Sequence, residues 1–177
     1  MLKLPIAAQK TQFRPKQGHW TYEDYLRLPN DGRRYEIIKG VLRAVNAPNF
    51  RHQFVAAEIF GELRNFVKKN NLGLVLAAPF EVHLSETVRP VQPDALFICR
   101  KSLPSANVAF FDGAPDLVVE VISPSSARID RVTKFEVYER AGISEYWIAS
   151  PKTRSVEVYT LSGGEYALRG EYTGEAQ

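Results

Sequence analysis

The sequence predicts a mixed α/β fold in which helices flank a central mixed β-sheet, with a short helix and a hairpin at its N-terminal end. Between residues 50 and 71, apolar residues recur every three or four positions, which is typical of one long amphipathic helix. Several short runs rich in Val, Ile, Leu and aromatic residues follow, and these indicate strands. A chain of 177 residues is long enough for one such domain around a single core.

The N-terminal part predicts an arm, a short helix and a hairpin. Residues 1–18 are polar, contain prolines and show no periodicity, so we expect a flexible arm before a single domain of residues 19–177. Thr21 can cap a short helix that carries acidic residues in its first turn. After a turn at residues 29–32, two β-like runs on either side of Gly40 predict a hairpin.

The rest of the chain predicts the long helix, a series of strands and a second helix. The long helix ends before Gly73, where a helix stop is expected. Strands are predicted at residues 74–78, 80–84, 95–99, 117–122, 145–149, 155–161 and 166–169. Pro79 separates the first two strands and indicates a bend or an edge position. The second helix is predicted over residues 127–141 and ends at Gly142.

Composition is that of an ordinary globular protein, with 45% hydrophobic and 24% charged residues. The formal charge of +3, without any basic block, permits contact with a nucleic acid but does not require it. Cys99 is the only cysteine, so no intramolecular disulfide can form. No secretory signal and no apolar run of about 20 residues is present, so we expect a cytoplasmic protein that does not enter a membrane.

Glu120 is the most informative charged residue in the sequence. It interrupts the run at residues 117–122, whose two faces are both apolar, so this strand is expected in the buried centre of the sheet. An ionised carboxylate there costs on the order of several kcal/mol unless it has a partner, a shifted pKa or a metal. A structural salt bridge is one interpretation, and a functional site is the other.

Asp94 opens the strand at residues 95–99 and, taken alone, is typical of a turn or cap residue. If its strand neighbours that of Glu120 at about 4.8 Å, the two carboxylates can converge on one cation. Asp116 lies four residues before Glu120 on the same strand. Their Cα atoms would stand roughly 13 Å apart, which is too far to share a small ion. We therefore interpret Asp116 as a strand-entry residue.

Lys134 is a candidate for the same site. It lies four residues after Asp130 on one helix face, although an exposed surface ion pair would show the same spacing. Glu36 in the hairpin is ambiguous alone. Two carboxylates from different strands and a lysine match the needs of phosphodiester hydrolysis. The carboxylates would hold a hard cation such as Mg²⁺, which activates water, and the lysine would orient that water or neutralise the phosphate.

Several ordered motifs resemble those of the putative restriction endonuclease family, which is part of the PD-(D/E)XK nuclease superfamily. The resemblance extends from about Thr21 to Tyr166. The matching residues are 35–40, His52, Pro93-Asp94, 114–124, Asp130, Lys134 and 142–147. The resemblance implies a restriction-endonuclease-like core and nuclease activity.

The resemblance also implies roles for single residues. Asp94 and Glu120 would bind the metal, with the backbone carbonyl of Val121 as a further ligand and Glu36 completing the acidic site. The superfamily lysine normally stands two residues after the glutamate, at Ile122 in this chain, so the resemblance implies that Lys134 replaces it. Residues expected around this site or beside the phosphate are His52, Gln92 and Asp130, with a local hydrogen bond at the helix start as the alternative for His52.

One departure from the family pattern is Ser150, where the family commonly has an aspartate; we expect that position to be structural. The leading hypothesis is a Mg²⁺- or Mn²⁺-dependent endonuclease acting on DNA, with a homodimer expected because cleavage of two strands is easiest with two sites. Two alternatives remain. One is a non-catalytic nucleic-acid-binding or regulatory protein on the same fold, and the other is a hydrolase of a different phosphate ester or of a small molecule.

Overall fold

The structure of the chain is a computed structural model that describes residues 14–105 and 107–174. The helices are α1 (Tyr22–Leu26), α2 (Phe50–Lys69) and α3 (Phe135–Ala141). The strands are β1 (Arg34–Ile38), β2 (Val41–Val45), β3 (Gly73–Ala77), β4 (Glu81–His83), β5 (Ala95–Cys99), β6 (Phe110–Asp112), β7 (Leu117–Val121), β8 (Glu145–Ser150), β9 (Ser155–Ser162) and β10 (Glu165–Thr173). A 3₁₀ turn covers Arg100–Ser102, and a π-helical segment, Ile129–Lys134, leads into α3.

A six-stranded mixed sheet forms the centre of the fold, in the order β10-β9-β8-β7-β5-β3. Strands β7 and β8 are parallel, and the other neighbouring pairs are antiparallel. All five residues of β7 are buried, as its two apolar faces predicted. Strand β3 lies at the sheet edge, consistent with Pro79 shortly after it. The predicted mixed α/β fold is confirmed.

The two faces of the sheet are covered by different elements. Helix α2 packs Ile59 and Leu63 on the face that contains Leu117 and Val119. The opposite face of β7 contains Val118, which belongs to the larger core cluster together with residues of α3. Because side chains alternate along a strand, Glu120 lies on this second face. The crossover between β7 and β8 therefore passes over the glutamate.

The hairpin β1–β2 is a separate two-stranded sheet anchored to the loop before β5. The amide of Ile37 donates to the carbonyl oxygen of Pro90, and the amide of Gly40 donates to that of Thr87. Both isoleucines of β1 are buried, with Ile38 in the main core cluster. These contacts hold the hairpin, and with it Glu36, against the body of the domain.

Strand β6 was not predicted from the sequence, and β4 does not belong to the main sheet. The two pair in parallel through three residues each, Glu81–His83 with Phe110–Asp112. A run of three residues is too short for alternation to separate a strand from a loop. Their pairing depends on contacts between segments far apart in the chain, which the local sequence does not contain.

The N-terminal predictions are partly within the described residues. Thr21 is the N-cap of α1, as expected, and it also forms a capping box with Asp24. Residues 1–13 of the predicted arm lie outside the described residues. Gln17 exchanges hydrogen bonds with the backbone of Leu42, and the amide of Gly18 donates to Gly40, so the end of the arm contacts the hairpin. None of the described helices is long and apolar enough to cross a membrane.

Candidate active site

Asp94 and Glu120 come together because their strands are neighbours. The antiparallel register pairs Ala95 with Val119, which places Asp94 beside Glu120 one step further along. The Asp94 Oδ2 atom accepts a hydrogen bond of 2.8 Å from the amide of Val121. The predicted convergence of two carboxylates from adjacent strands is therefore present.

Lys134 lies inside this cluster and not on an exposed helix face. Its ammonium group is 2.8 Å from Glu120 Oε1, 3.2 Å from Glu36 Oε1 and 3.9 Å from Asp130 Oδ1. Only 5% of Lys134 and 3% of Asp130 is exposed, so the interpretation as a surface ion pair is wrong. Both residues belong to the π-helical segment, and because residues four apart lie on nearly the same side of it, both point to the same cluster.

The pKa shifts in this cluster follow from burial and from an excess of carboxylates. Burial raises the pKa of Glu120 well above its usual range, Lys134 opposes this, and Asp130, Asp94 and Glu36 reinforce it. Burial lowers the pKa of Lys134, but the charges of Glu120, Glu36 and Asp130 outweigh burial and raise it well above normal. One ammonium group thus lies among several carboxylates, and an added cation would find a favourable potential there.

Tyr138 is a member of the site that sequence reasoning missed. Its hydroxyl donates a 2.7 Å hydrogen bond to Glu120 Oε1, the oxygen that also accepts from Lys134. The side chain is fully buried, and burial, followed by the charge of Glu120, raises its pKa well above the ordinary range. A signal was available in the spacing, because Tyr138 lies four residues after Lys134.

The hairpin contributes Glu36, whose position is fixed by a backbone donor. The amide of Gln92 donates 2.8 Å to Glu36 Oε1, and Lys134 approaches the same oxygen. The residue is 5% exposed. The ambiguous glutamate of the sequence is therefore a buried part of the cluster.

His52 reaches the site from the first turn of α2. Its Nε2 atom is 3.4 Å from Asp94 Oδ2. The hydrogen bond to Asp94 raises the pKa of His52, burial opposes this, and the charge of Asp94 and the carbonyl of Val121 add to it. The side chain of Asn49 caps α2 by accepting a hydrogen bond from the backbone amide of His52. The local contact at the helix start therefore involves the backbone of His52, whereas its ring points to the acidic site.

A cavity of about 310 Å³ opens beside these residues. Its lining includes every predicted site residue: Glu36, His52, Gln92, Asp94, Glu120, Val121, Asp130 and Lys134. Arg34 and Arg43, which the sequence did not single out, also line it. Asp116 lies outside this cavity, immediately before β7. It accepts a hydrogen bond from the amide of Cys99, in agreement with its interpretation as a strand-entry residue.

The donor set of the cavity fits a hard cation that keeps part of its water shell. Within the described residues, protein hydrogen bonds reach a single oxygen of Glu36, Asp94 and Glu120, which leaves the second oxygen of each for another ligand. The buried Gln92 Oε1 atom has no hydrogen-bond partner there. No three acidic, His or Cys side chains in the described ranges converge closely enough to enclose an ion. Mg²⁺ suits such an incomplete shell.

Ile122, which differs from the superfamily pattern, and Ser150, which differs from the family pattern, both have structural roles. Ile122, where the superfamily lysine would stand, packs against the main core cluster, and its amide donates to Ala149. Ser150 is buried at the end of β8, and its hydroxyl oxygen accepts from the amide of Thr153. Neither side chain lines the cavity that contains Glu120.

Comparison with known proteins gives one family and a structural relative. No curated protein sequence matches the chain. A putative nuclease belonging to DUF820 from Anabaena variabilis, solved by crystallography, has a similar fold with a TM-score of 0.72. The match has 19% sequence identity and covers 84% of this chain and 83% of that one. The model of the Uma2 family, described as putative restriction endonuclease, matches residues 22–176. The chain therefore belongs to the Uma2 family of putative restriction endonucleases.

Proposed function

We propose that this chain is an endonuclease that hydrolyses phosphodiester bonds of DNA with a bound Mg²⁺ or Mn²⁺ ion. Family membership supports a nuclease. The observation that carries the proposal is the buried cluster in which Asp94 and Glu120 lie side by side and Lys134 contacts Glu120 at 2.8 Å. A salt bridge that serves only stability would need one carboxylate, whereas this lysine is surrounded by three.

The residues that would hold the ion are Asp94 and Glu120, through their second oxygens, and the backbone carbonyl of Val121. A divalent cation bound there supplies Lewis-acid stabilisation of the phosphate and makes a bound water more acidic. Val121 and His52 fix the Asp94 carboxylate through its other oxygen. Tyr138 fixes Glu120 in the same way, so both ligands are oriented before an ion arrives.

Lys134 has two functions in this proposal. The charge of its ammonium group lowers the pKa of Glu120 against the larger effect of burial, and so favours the ionised carboxylate. It also lies at the cavity wall, where its third N–H group can donate to an attacking water or to a phosphate oxygen. Glu36 holds the ammonium from the hairpin side at 3.2 Å. The residue that orients Lys134 is therefore on a different element from the metal ligands.

The test compares Glu120→Gln with wild type and with Asp116→Asn, which removes a carboxylate from the same strand outside the cavity. Mn²⁺ binding is measured by calorimetry, and nicking of plasmid DNA is measured with Mg²⁺ and with Mn²⁺. We expect both activities in wild type and in Asp116→Asn, and neither in Glu120→Gln. Metal binding without DNA cleavage in wild type would favour the hydrolase of another phosphate ester. Absence of metal binding would favour the non-catalytic protein.

We also propose that the chain is a homodimer, since two sites are suited to cleavage of two strands. Light scattering at micromolar concentration tests this point, and a monomeric mass would contradict it.

A further inference from the structure

Two arginines of the hairpin share the cavity with the carboxylates. In the β1–β2 register, Arg43 is opposite Glu36, and Arg34 is opposite Val45. Because residues two apart on a strand lie on the same face, Arg34, Glu36 and Arg43 project to one side of the hairpin. Both arginines line the cavity that contains Glu120 and Lys134.

Neither arginine has a partner for its charge in the described ranges. Arg34 and Arg43 make no ion pair within 4.0 Å there, although Arg43 is directly opposite Glu36. The Nε atom of Arg43 is buried and has no hydrogen-bond partner. Arg131, by contrast, binds Glu157 through both of its terminal nitrogens. A buried donor without an acceptor is unusual, and because Arg43 lines the cavity, a ligand bound there can supply the acceptor.

Glu36 does not supply this acceptor because its bonded oxygen is committed to other groups. The amide of Gln92 and the ammonium of Lys134 both reach Glu36 Oε1. Glu36 is therefore held toward the π-helical segment, while the arginine on the facing strand remains unpaired. On this face of the hairpin, Glu36 therefore contacts the acidic cluster, whereas Arg34 and Arg43 remain available to bind a ligand.

The charges around the cavity indicate which ligand this is. Its lining contains four carboxylates and three cationic side chains, so the formal charge is −1 with His52 neutral. One Mg²⁺ changes this charge to +1, and one phosphodiester then neutralises it. Guanidinium groups present a planar fork of donors that matches the two non-bridging oxygens of a phosphodiester. A monovalent, two-oxygen anion fits both the charge and the geometry.

We propose that Arg34 and Arg43 form a substrate-phosphate subsite, in which they bind non-bridging oxygens of a nucleic-acid backbone phosphate beside the acidic cluster. This inference rests on the proposed nuclease function and adds the element that binds substrate, namely the hairpin. Glu36 and the two arginines lie on one face of the hairpin but have different functions in this proposal. The arginines hold the anionic backbone, and Glu36 holds Lys134.

The experiment measures binding of a fluorescein-labelled DNA duplex by anisotropy, at several salt concentrations, with Ca²⁺ in place of Mg²⁺, and a gel checks that the duplex stays intact. The variants are Arg34→Gln, Arg43→Gln and Arg43→Lys, and Arg169→Gln on the exposed edge strand β10 is the matched control. We expect each of the two Gln variants of the hairpin to bind about tenfold more weakly. Each should also lower the slope of log affinity against log salt by about 0.9, the value for one lost phosphate contact.

Arg43→Lys separates a phosphate contact from a merely structural role. It keeps the charge and should restore the salt slope, but it lacks the bidentate fork and should recover only part of the affinity. Circular dichroism of each variant checks that the hairpin remains folded. Arg169→Gln should bind within about twofold of wild type, since surface charges far from the phosphates contribute little.

Cleavage with Mg²⁺, measured in parallel, separates this inference from the proposed function. Arginine-dependent binding with cleavage supports both. Arginine-dependent binding without cleavage supports the subsite and counts against the nuclease. If the two Gln variants of the hairpin bind as tightly as Arg169→Gln and wild type still cleaves, the subsite is overturned and the nuclease stands. If wild type binds no DNA, both are overturned.

Discussion

Replacement of Lys134 by Met is the most informative perturbation of the cluster. Methionine keeps most of the buried aliphatic volume but removes the ammonium group that lies between Glu120, Glu36 and Asp130. Removal of one member of a buried ion pair costs about 3–5 kcal/mol, because the remaining charge stays buried without a partner. With a urea m-value of about 2 kcal/mol/M, the unfolding midpoint should fall by about 2 M.

The assay is urea unfolding followed by circular dichroism, in EDTA and again with Mn²⁺. The matched control is Lys39→Met, because Lys39 pairs with Glu136 where both side chains are well exposed. That pair should contribute less than about 1 kcal/mol. Mn²⁺ should raise the unfolding midpoint of Lys134→Met, since an ion that binds only the folded chain stabilises it by mass action.

The pH dependence of stability is an independent test of the Lys134→Met prediction. Burial already raises the pKa of Glu120, and Lys134 opposes this effect. Without Lys134 the folded-state pKa rises further, so the folded chain binds the proton more tightly than the unfolded chain does. The variant should therefore be closest to wild type at low pH and should lose stability as pH rises through the folded pKa. A variant that loses less than about 1 kcal/mol at neutral pH, as Lys39→Met should, would refute the reasoning.

Three further substitutions test the elements that support the site. Tyr138→Phe removes the hydroxyl that donates to Glu120 and should cost about 1–3 kcal/mol in urea unfolding, without change of fold by circular dichroism. Asn49→Ala removes the N-cap of α2 and should cost about 1 kcal/mol, measured as a lower Tm. Gly40→Ala should destabilise the hairpin by about 1–3 kcal/mol, because φ is +68° and a Cβ atom would lie 2.4 Å from the Gly18 carbonyl oxygen. An unchanged Tm in Gly40→Ala would contradict this placement.

The acidic centre of the site could be predicted from the sequence because a charged residue within an apolar run is visible in the sequence itself. Glu120 stands alone in an apolar strand, and that strand is fully buried. Asp94 became a candidate only on the hypothesis that its strand is adjacent to the strand of Glu120, and the pairing of β5 with β7 confirms that hypothesis. The arithmetic on strand rise correctly excluded Asp116, which caps the backbone near Cys99.

The rest of the site depends on contacts that no local pattern contains. Lys134 at four residues from Asp130 looks the same on an exposed helix and on a buried one, and only the family resemblance distinguished them. Tyr138 has a suitable spacing from Lys134, but an ordinary core aromatic on the same helix face would have that spacing too, and only the contact of its hydroxyl with Glu120 distinguishes them. Arg34 and Arg43 could face solvent or the cavity, and the choice depends on how the hairpin docks on the loop before β5.

The structure explains why a lysine on the π-helical segment suits this cluster better than a lysine at Ile122, the position that the resemblance implied for the superfamily lysine. A lysine at Ile122 would have to leave the core cluster against which that side chain packs. On the π-helical segment the ammonium instead approaches Glu120 and Glu36 from the element that covers the sheet. The cluster then needs three separately folded parts, namely the hairpin, the central strands and this crossover. The ammonium of Lys134 contacts Glu36 and Glu120 only when the hairpin, the central strands and the crossover are all packed together. Assembly of the site therefore also stabilises the crossover. An ion that binds only the assembled site should raise the free energy of unfolding of the whole domain.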